Sequence, residues 1–303
     1  MSKLCRFQHI LFAITLIDKQ ITNLIKRTRH KINLYLRHIL YKIKNMKWLL
    51  FSLLTIPFLS VSCNNKITNA DSTTWKFDSI VFDKRIHVNN DTLKEGMKVF
   101  ISFHYPEVAP EKVNLEAIQN IFGKILNSDD NFTGTPQKAF DELKDKCIKD
   151  AADLAEIWNE DAESNNFVIP LSDYEHSTWI NIDSIYPSML TLSSSYYSYT
   201  GGAHGYEAIT YHNIDLNKAI VVNDTILFGK QNLPKIAKLI QNEVENRNKD
   251  KESSEAIYLL VKIDEIEPNN NFFFTKEGVV YLYNQYEIAP YAQGPVEITI
   301  SYD

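Results

Sequence analysis

The stretch Tyr199-Thr200-Gly201-Gly202-Ala203-His204-Gly205-Tyr206 decides how the middle of this chain folds. It is the densest glycine cluster of the sequence, and runs of β-favouring residues flank it on both sides. Glycine adopts positive φ without steric cost, so the pattern predicts a β-hairpin with Gly201 and Gly202 in its turn. Tyr199 and His204 stand at the two ends of this turn. A binding tip, a catalytic loop and a plain hairpin are all compatible with it.

The apolar residues outside this stretch alternate between helical and strand periodicity. After Asn114, a suitable N-cap, they recur at helical spacing as far as Leu126. Further helices are predicted to begin at Pro136 and Pro234. Period-two patterns predict strands over 75–88, 97–105, 178–182, 189–199, 206–216, 279–283 and 296–302. The sequence therefore predicts an α+β fold of two small domains, 75–204 and 205–303, each an antiparallel sheet with packed helices.

The front of the chain resembles a bacterial lipoprotein signal. A short basic start at Met46 precedes the apolar run Trp48–Leu59, and small residues lead to Cys63. The uncharged segment 48–62 is shorter than the roughly 20 residues that a membrane-spanning helix needs. We therefore predict a non-native leader over 1–45, a signal peptide over 46–62, lipidation at Cys63 and a tether over 63–74. The alternative is a membrane span over 48–62 with 1–45 inside the cell.

Charge is unevenly distributed along the 303 residues. The segment 1–47 holds 11 of the 32 Lys and Arg residues and one of the 38 acidic residues, which leaves a net charge of −16 on the remainder. Binding to nucleic acid requires basic groups that neutralise phosphate. We therefore exclude nucleic acid as a partner.

The cysteines give little scope for disulfide chemistry. Cys147 is the only cysteine after Cys63, so an internal disulfide is excluded in the part that follows the predicted lipidation site. Cys147 falls on the apolar stripe of the helix predicted from Pro136. We therefore expect it in the core.

Residue types that carry catalysis are present without the spacing that catalysis needs. The histidines after Cys63 are His87, His104, His176, His204 and His212. No two of them have i, i+4 spacing, and the sequence has no Cys/His cluster, nucleophile elbow or phosphate loop. The run Ser193–Ser195 is interpreted as a polar sheet face. A base–orienter pair of His204 with Glu287 or Asp215 is left open, and we predict no catalytic residue, metal or cofactor.

The C-terminal part contains Phe274-Thr275-Lys276-Glu277-Gly278-Val279-Val280-Tyr281-Leu282-Tyr283 and Tyr286-Glu287-Ile288-Ala289-Pro290-Tyr291-Ala292-Gln293-Gly294. These segments resemble the C-terminal domain of RsiV-type anti-sigma factors. The stretch 199–205 resembles the end of the domain found beside the catalytic domain in PdaC-type peptidoglycan deacetylases. The resemblance covers roughly 75–303. It implies an extracytoplasmic binding module, because RsiV-type proteins bind lysozyme outside the cell and the PdaC-like domain is non-catalytic where it sits beside a separate deacetylase domain.

Eight residues of these segments are candidates for ligand binding or for contacts between the domains: Tyr199, Gly201, Gly202, His204, Tyr286, Glu287, Pro290 and Tyr291. We predict a lipid-anchored, non-catalytic binding protein whose ligand is an envelope protein such as lysozyme or a peptidoglycan-derived glycan. Asn64, next to Cys63, resembles the residue of lipoproteins in the outer membrane that face the periplasm. Two alternatives are left open: a transmembrane signal sensor of anti-sigma type and a cell-wall-modifying enzyme.

Overall fold

A computed structural model describes residues 74–164, 169–249 and 256–302, and these residues form a mixed α+β fold. The α+β class predicted from the sequence is confirmed. The predicted leader, signal peptide and lipidation site at Cys63 lie outside the described residues. So does the predicted tether, apart from Thr74.

Two sheets organise the described residues. The first pairs its strands in chain order: β1 (Lys76–His87), β2 (Gly96–Val108), β3 (Glu175–Ile185), β4 (Met189–Tyr199), β5 (Tyr206–Asp215) and β6 (Ile220–Val222). The second consists of β7 (Phe272–Phe274), β8 (Gly278–Tyr283) and β9 (Val296–Ser301). The described helices are α1 (Leu115–Asn127), α2 (Pro136–Ser164), α3 (Asp224–Phe228) and α4 (Leu233–Arg247).

Helices α1 and α2 pack on the first sheet and enclose its core. As predicted, α1 begins after Asn114, whose Oδ1 accepts the backbone N–H of Ala117 at 3.1 Å. Large side chains at the centre of this core are Phe103, Ile118, Phe122, Phe140, Ile180, Leu192 and Ile214. Full burial of such a side chain contributes about 1.5–3 kcal/mol, so this core is the main source of stability for the first sheet.

Within the described residues, the first sheet is antiparallel except between β2 and β3. These two strands run parallel, with Ser102 opposite Trp179. The sequence predicted antiparallel sheets and did not foresee this one parallel pair. The connection from β2 to β3 contains both α1 and α2, and a connection of this length crosses one face of the sheet and returns the chain to the same end. Parallel pairing of β2 and β3 is the result.

The second sheet packs against α4. Val296 and Ile298 of β9 face the core, which confirms the alternation predicted for the C-terminal strand. Ile240 and Val244 of α4 are fully buried on the same core. The first sheet also continues across the predicted domain boundary at 204/205, because β5 pairs along its length with β4. The division into 75–204 and 205–303 stays a prediction.

Gly123 lies in α1 directly beneath the ring of Phe132. A methyl group at position 123 would lie 2.2 Å from Cε1 of that ring. Replacing an interior helical glycine with alanine ordinarily stabilises by up to about 1 kcal/mol, whereas overpacking a core costs about 1–3 kcal/mol. We therefore expect Gly123→Ala to lower the free energy of unfolding by about 1–2 kcal/mol in urea titrations. Adding Phe132→Leu is expected to recover part of the loss, and a stabilised single variant would contradict this packing.

Candidate functional site

The hairpin turn and the C-terminal segment that the sequence singles out lie next to each other. Strands β4 and β5 pair antiparallel around the turn, which confirms the predicted hairpin. Gly201 and Gly202 have φ of 98° and 96°, values that glycine reaches far more readily than other residues. The turn they form brings His204 against Tyr286 and Tyr291.

His204, Tyr286 and Tyr291 form an aromatic cluster. The rings of His204 and Tyr291 stack, with centroids 3.7 Å apart and planes 14° from parallel. His204 Nδ1 lies 3.0 Å from the carbonyl oxygen of Gly205, so Nδ1 must carry the proton. In the neutral ring Nε2 is then an acceptor, and it accepts the hydroxyl of Tyr286 at 3.2 Å. His204 is exposed and Tyr286 is 51% exposed, so the aromatic cluster is open to solvent.

The backbone presents the two tyrosines in different ways. Tyr286 has φ of 70° in a turn closed by its N–H donating to the carbonyl of Ala289 at 2.9 Å. Pro290 follows in an extended conformation and precedes a single 3-10 turn that contains Tyr291. Pro290 therefore sets the direction of Tyr291.

The other candidates in the hairpin support the turn. The hydroxyl of Tyr199 donates to the carbonyl of Gly202 at 3.0 Å. Its ring makes an edge-on contact with Tyr174, with centroids 6.3 Å apart. Tyr199 therefore fixes the shape of the turn from the β4 side, while His204 reaches the C-terminal segment from the β5 side.

The acids considered as partners of His204 have other partners. Glu287 accepts a hydrogen bond from Nδ2 of Asn269 at 3.0 Å. Asp215 accepts the backbone N–H of Lys218 at 3.1 Å and pairs with its ammonium at 3.3 Å. The hydrogen-bond partners that the structure gives His204 are a backbone carbonyl and a tyrosine hydroxyl.

Two buried asparagines join the second sheet to β5, and we call them the asparagine clamp: Asn271 and Asn284. Asn284 accepts the N–H of Ile209 at 2.8 Å and donates to its carbonyl at 3.0 Å. Asn271 accepts the N–H of Tyr211 at 2.8 Å and also donates to the carbonyl of Ile209 at 2.8 Å. Strand β6 pairs only with the last residues of β5. At Ile209 and Tyr211, earlier in β5, the two side-chain amides take the place of a neighbouring strand. From sequence alone such asparagines indicate turns, and the clamp was missed.

A second histidine contact lies within the first sheet. Oγ of Ser194 and Nε2 of His212 are 3.0 Å apart. Burial lowers the pKa of His212 to about 4, so the ring is neutral at neutral pH. A general base works best with a pKa near the operating pH, so this ring is a weak base. The interpretation of the serine run as a polar sheet face agrees with this placement.

Among residues 74–164, 169–249 and 256–302, no three His, Cys, Asp or Glu side chains are grouped so that they could hold a metal ion. No helix in these ranges has the length and apolar character needed to cross a membrane.

Known families match both halves of the described chain. Residues 86–207 match the family model described as "Deacetylase PdaC". Residues 223–303 match that described as "Protein of unknown function (DUF3298)". The chain carries a PdaC domain and a DUF3298 domain. The aromatic cluster therefore joins the last residues of the PdaC domain, which include His204, to the DUF3298 domain, which includes Tyr286 and Tyr291.

Solved structures of DUF3298 proteins are similar to this chain. A DUF3298 family member from Bacteroides fragilis is 26% identical, with 77% of this chain and 92% of that chain covered and a TM-score of 0.66. A DUF3298 family protein from Pseudomonas aeruginosa is 15% identical, with 76% and 92% covered and a TM-score of 0.49. No curated protein matches the chain.

Proposed function

We propose that this protein is a lipid-anchored, non-catalytic binding protein of the cell envelope, and that the aromatic cluster contacts its ligand. The observation that carries the proposal is Tyr286, a large aromatic residue held half-exposed at positive φ. An exposed tyrosine offers an apolar ring and a hydroxyl together, and for this reason tyrosine is enriched in protein interfaces.

The backbone of Tyr286 argues against a purely structural role. A residue other than glycine in the left-handed region costs on the order of 1–3 kcal/mol and persists where surrounding structure enforces it. Glycine or asparagine would occupy this turn more easily. A tyrosine there is costly for stability and valuable for contact with a ligand.

The sequence supports the envelope location and two classes of ligand. The signal-like segment 46–62 and Cys63 point to export and lipid anchoring, and Asn64 to the outer membrane facing the periplasm. The resemblance to RsiV-type proteins favours a protein ligand such as lysozyme. The PdaC domain favours a peptidoglycan-derived glycan.

Titration with hen egg-white lysozyme and with soluble peptidoglycan fragments tests the proposal. We expect one of these to bind and Tyr286→Gly to weaken that binding at least tenfold, or about 1.4 kcal/mol. The same variant is expected to change the free energy of unfolding by less than about 1 kcal/mol, because glycine relieves the positive φ. Tyr186→Ala is the matched control, since Tyr186 is 45% exposed in the turn at the opposite end of β4. Equal loss in both variants, or binding that Tyr286→Gly leaves intact, would contradict the proposal.

The match to a deacetylase family supports a second candidate, a cell-wall-modifying enzyme. Mass spectrometry of peptidoglycan fragments after incubation with the pure protein separates the two. We expect unchanged fragments. Hydrolysis or deacetylation that is lost in His204→Ala would establish the enzyme and overturn a binding-only role.

Lipid attachment at Cys63 is tested by metabolic labelling with a fatty acid. We expect the wild-type protein to carry the label and Cys63→Ala to lose it, with Cys147→Ala as the control that keeps it. Labelling that does not depend on Cys63 would contradict the anchor. Translation that begins upstream of Met46, with residues 1–45 inside the cell, would favour the anti-sigma-type sensor instead.

A further inference from the structure

The helices leave part of the first sheet uncovered on their own side. Helix α2 packs on β1 and β2, and α1 packs on β2. Beyond them a groove runs over β3, β4 and β5, with the C-terminal end of α1 as one wall and the middle of α2 as the other. It encloses a cavity of about 390 Å³, within the range of about 300–1,000 Å³ typical of small-molecule sites. A second cavity of about 620 Å³ adjoins it towards β6, sharing Ser194 and Thr210 with the first.

The floor of this groove is polar where an ordinary sheet face would be apolar. Side chains two residues apart on a strand face the same side. Ile180 of β3, Leu192 of β4 and Ile214 of β5 lie in the core on that side. Two residues away on each strand, the same face carries Thr178, Ser194 and His212. A further two residues along the same face, the three strands contribute His176, Tyr196 and Thr210 to the groove.

The groove carries little net charge. Burial lowers the pKa of His176, and that of His212 to about 4, so both rings are neutral at neutral pH. The charged residues that line it are two lysines and two aspartates: Lys124, Lys146, Asp130 and Asp150. A charged ligand would therefore find no excess of opposite charge.

The lining offers many hydrogen bonds beside apolar surface. The hydroxyls of Thr178, Ser194 and Thr210 each donate and accept, and a neutral imidazole does both as well. Ile125 and Leu143 supply apolar surface from the helices above. We propose that this groove is a binding site for an uncharged, hydroxyl-rich ligand of the saccharide class, held by the hydroxyls of β3, β4 and β5. The proposal does not rest on the aromatic cluster, none of whose residues line the groove.

The test uses N,N′-diacetylchitobiose as the uncharged probe and its doubly N-deacetylated, cationic counterpart as the matched comparison. Binding to the full protein is followed by calorimetry or by NMR up to millimolar concentrations. We expect the uncharged sugar to bind at least tenfold more tightly than the cationic one. Thr178→Val and Thr210→Val each remove one hydroxyl and keep the branched shape that suits a strand. Each is expected to weaken binding about threefold to tenfold.

Two controls make the outcome decisive. Thr225→Val alters an exposed threonine of α3 outside the groove and should leave the affinity unchanged. The unfolding midpoint of each variant shows whether weaker binding reflects an altered fold. The proposal is overturned if neither sugar binds, or if both threonine variants bind like the wild type. It is also overturned if Tyr286→Gly abolishes sugar binding while the threonine variants do not, because the sugar would then occupy the aromatic cluster.

Discussion

Replacing Asn271 and Asn284 together with alanine is expected to lower the free energy of unfolding by about 2–5 kcal/mol. These asparagines are only 5% and 7% exposed, and between them they bind three backbone groups of β5: the N–H and carbonyl of Ile209 and the N–H of Tyr211. Alanine would leave these groups without partners. Each unsatisfied buried group costs about 1–3 kcal/mol.

Urea unfolding of the two single variants and the double variant measures this effect. We expect each single variant to lose about 1–3 kcal/mol. Asn284→Asp is not expected to restore stability, because its second carboxylate oxygen would face the carbonyl of Ile209, to which the Asn284 amide donates at 3.0 Å. Asn246→Ala is the matched control: Asn246 lies exposed on α4, and its replacement should change stability by no more than about 0.5 kcal/mol. A double variant as stable as this control would show that the clamp contributes nothing.

The asparagine clamp also connects stability to the proposed site. Asn284 lies two residues before Tyr286, and its backbone carbonyl accepts the N–H of Glu287 at 3.1 Å. The bonds from Asn284 to Ile209 therefore tie the turn that carries Tyr286 to the sheet that carries His204. Loss of the clamp is expected to weaken ligand binding at the aromatic cluster as well as folding.

The second large effect is expected on acidification, through His212. Its pKa is about 4 in the folded protein, against about 6.5 for an ordinary histidine. Between these values the unfolded chain takes up a proton that the folded protein does not. The free energy of unfolding therefore falls as the pH falls from about 6.5 to about 4. This difference in the pKa of His212 lowers the free energy of unfolding by about 2.5 kcal/mol between pH 7 and pH 4.5.

Comparison with His212→Gln isolates this contribution from that of the carboxylates. Urea unfolding at pH 7 and at pH 4.5 gives, for each protein, the free energy of unfolding that is lost on acidification. We expect the loss in the wild type to exceed that in the variant by about 2 kcal/mol. Equal losses would mean that the imidazole titrates normally in the folded protein and that its burial has no energetic consequence.

The sequence predicts the parts of the fold that depend on local pattern. The N-cap at Asn114, the glycine turn at 201–202 and the alternation of β9 all appear where they were expected, because each is determined by neighbours in the chain. Helix α3 (Asp224–Phe228) is not among the helices that the sequence predicts. Asn223 caps this helix by accepting the backbone N–H of Ile226 at 2.9 Å. A helix of five residues is too short to show a helical repeat of apolar residues, so the capping residue alone did not predict it.

Features that depend on distant residues could not be predicted in this way. The parallel pairing of β2 and β3, the asparagine clamp and the polar groove floor each join segments far apart in the sequence. The candidate site residues were identified from the sequence, but their arrangement was not. The resemblance singled out both His204 and Tyr291, but their stacking at 3.7 Å is a product of tertiary structure.

Photo-cross-linking at position 286 tests the central claim most directly. Tyr286 is replaced with p-benzoylphenylalanine in the protein made by living cells, and Tyr186 is replaced in the same way as the control. The account predicts that irradiation produces a discrete covalent adduct with an envelope protein or a peptidoglycan fragment from position 286 and none from position 186. Adducts from neither position, or the same adducts from both, would contradict a ligand-binding role for the aromatic cluster.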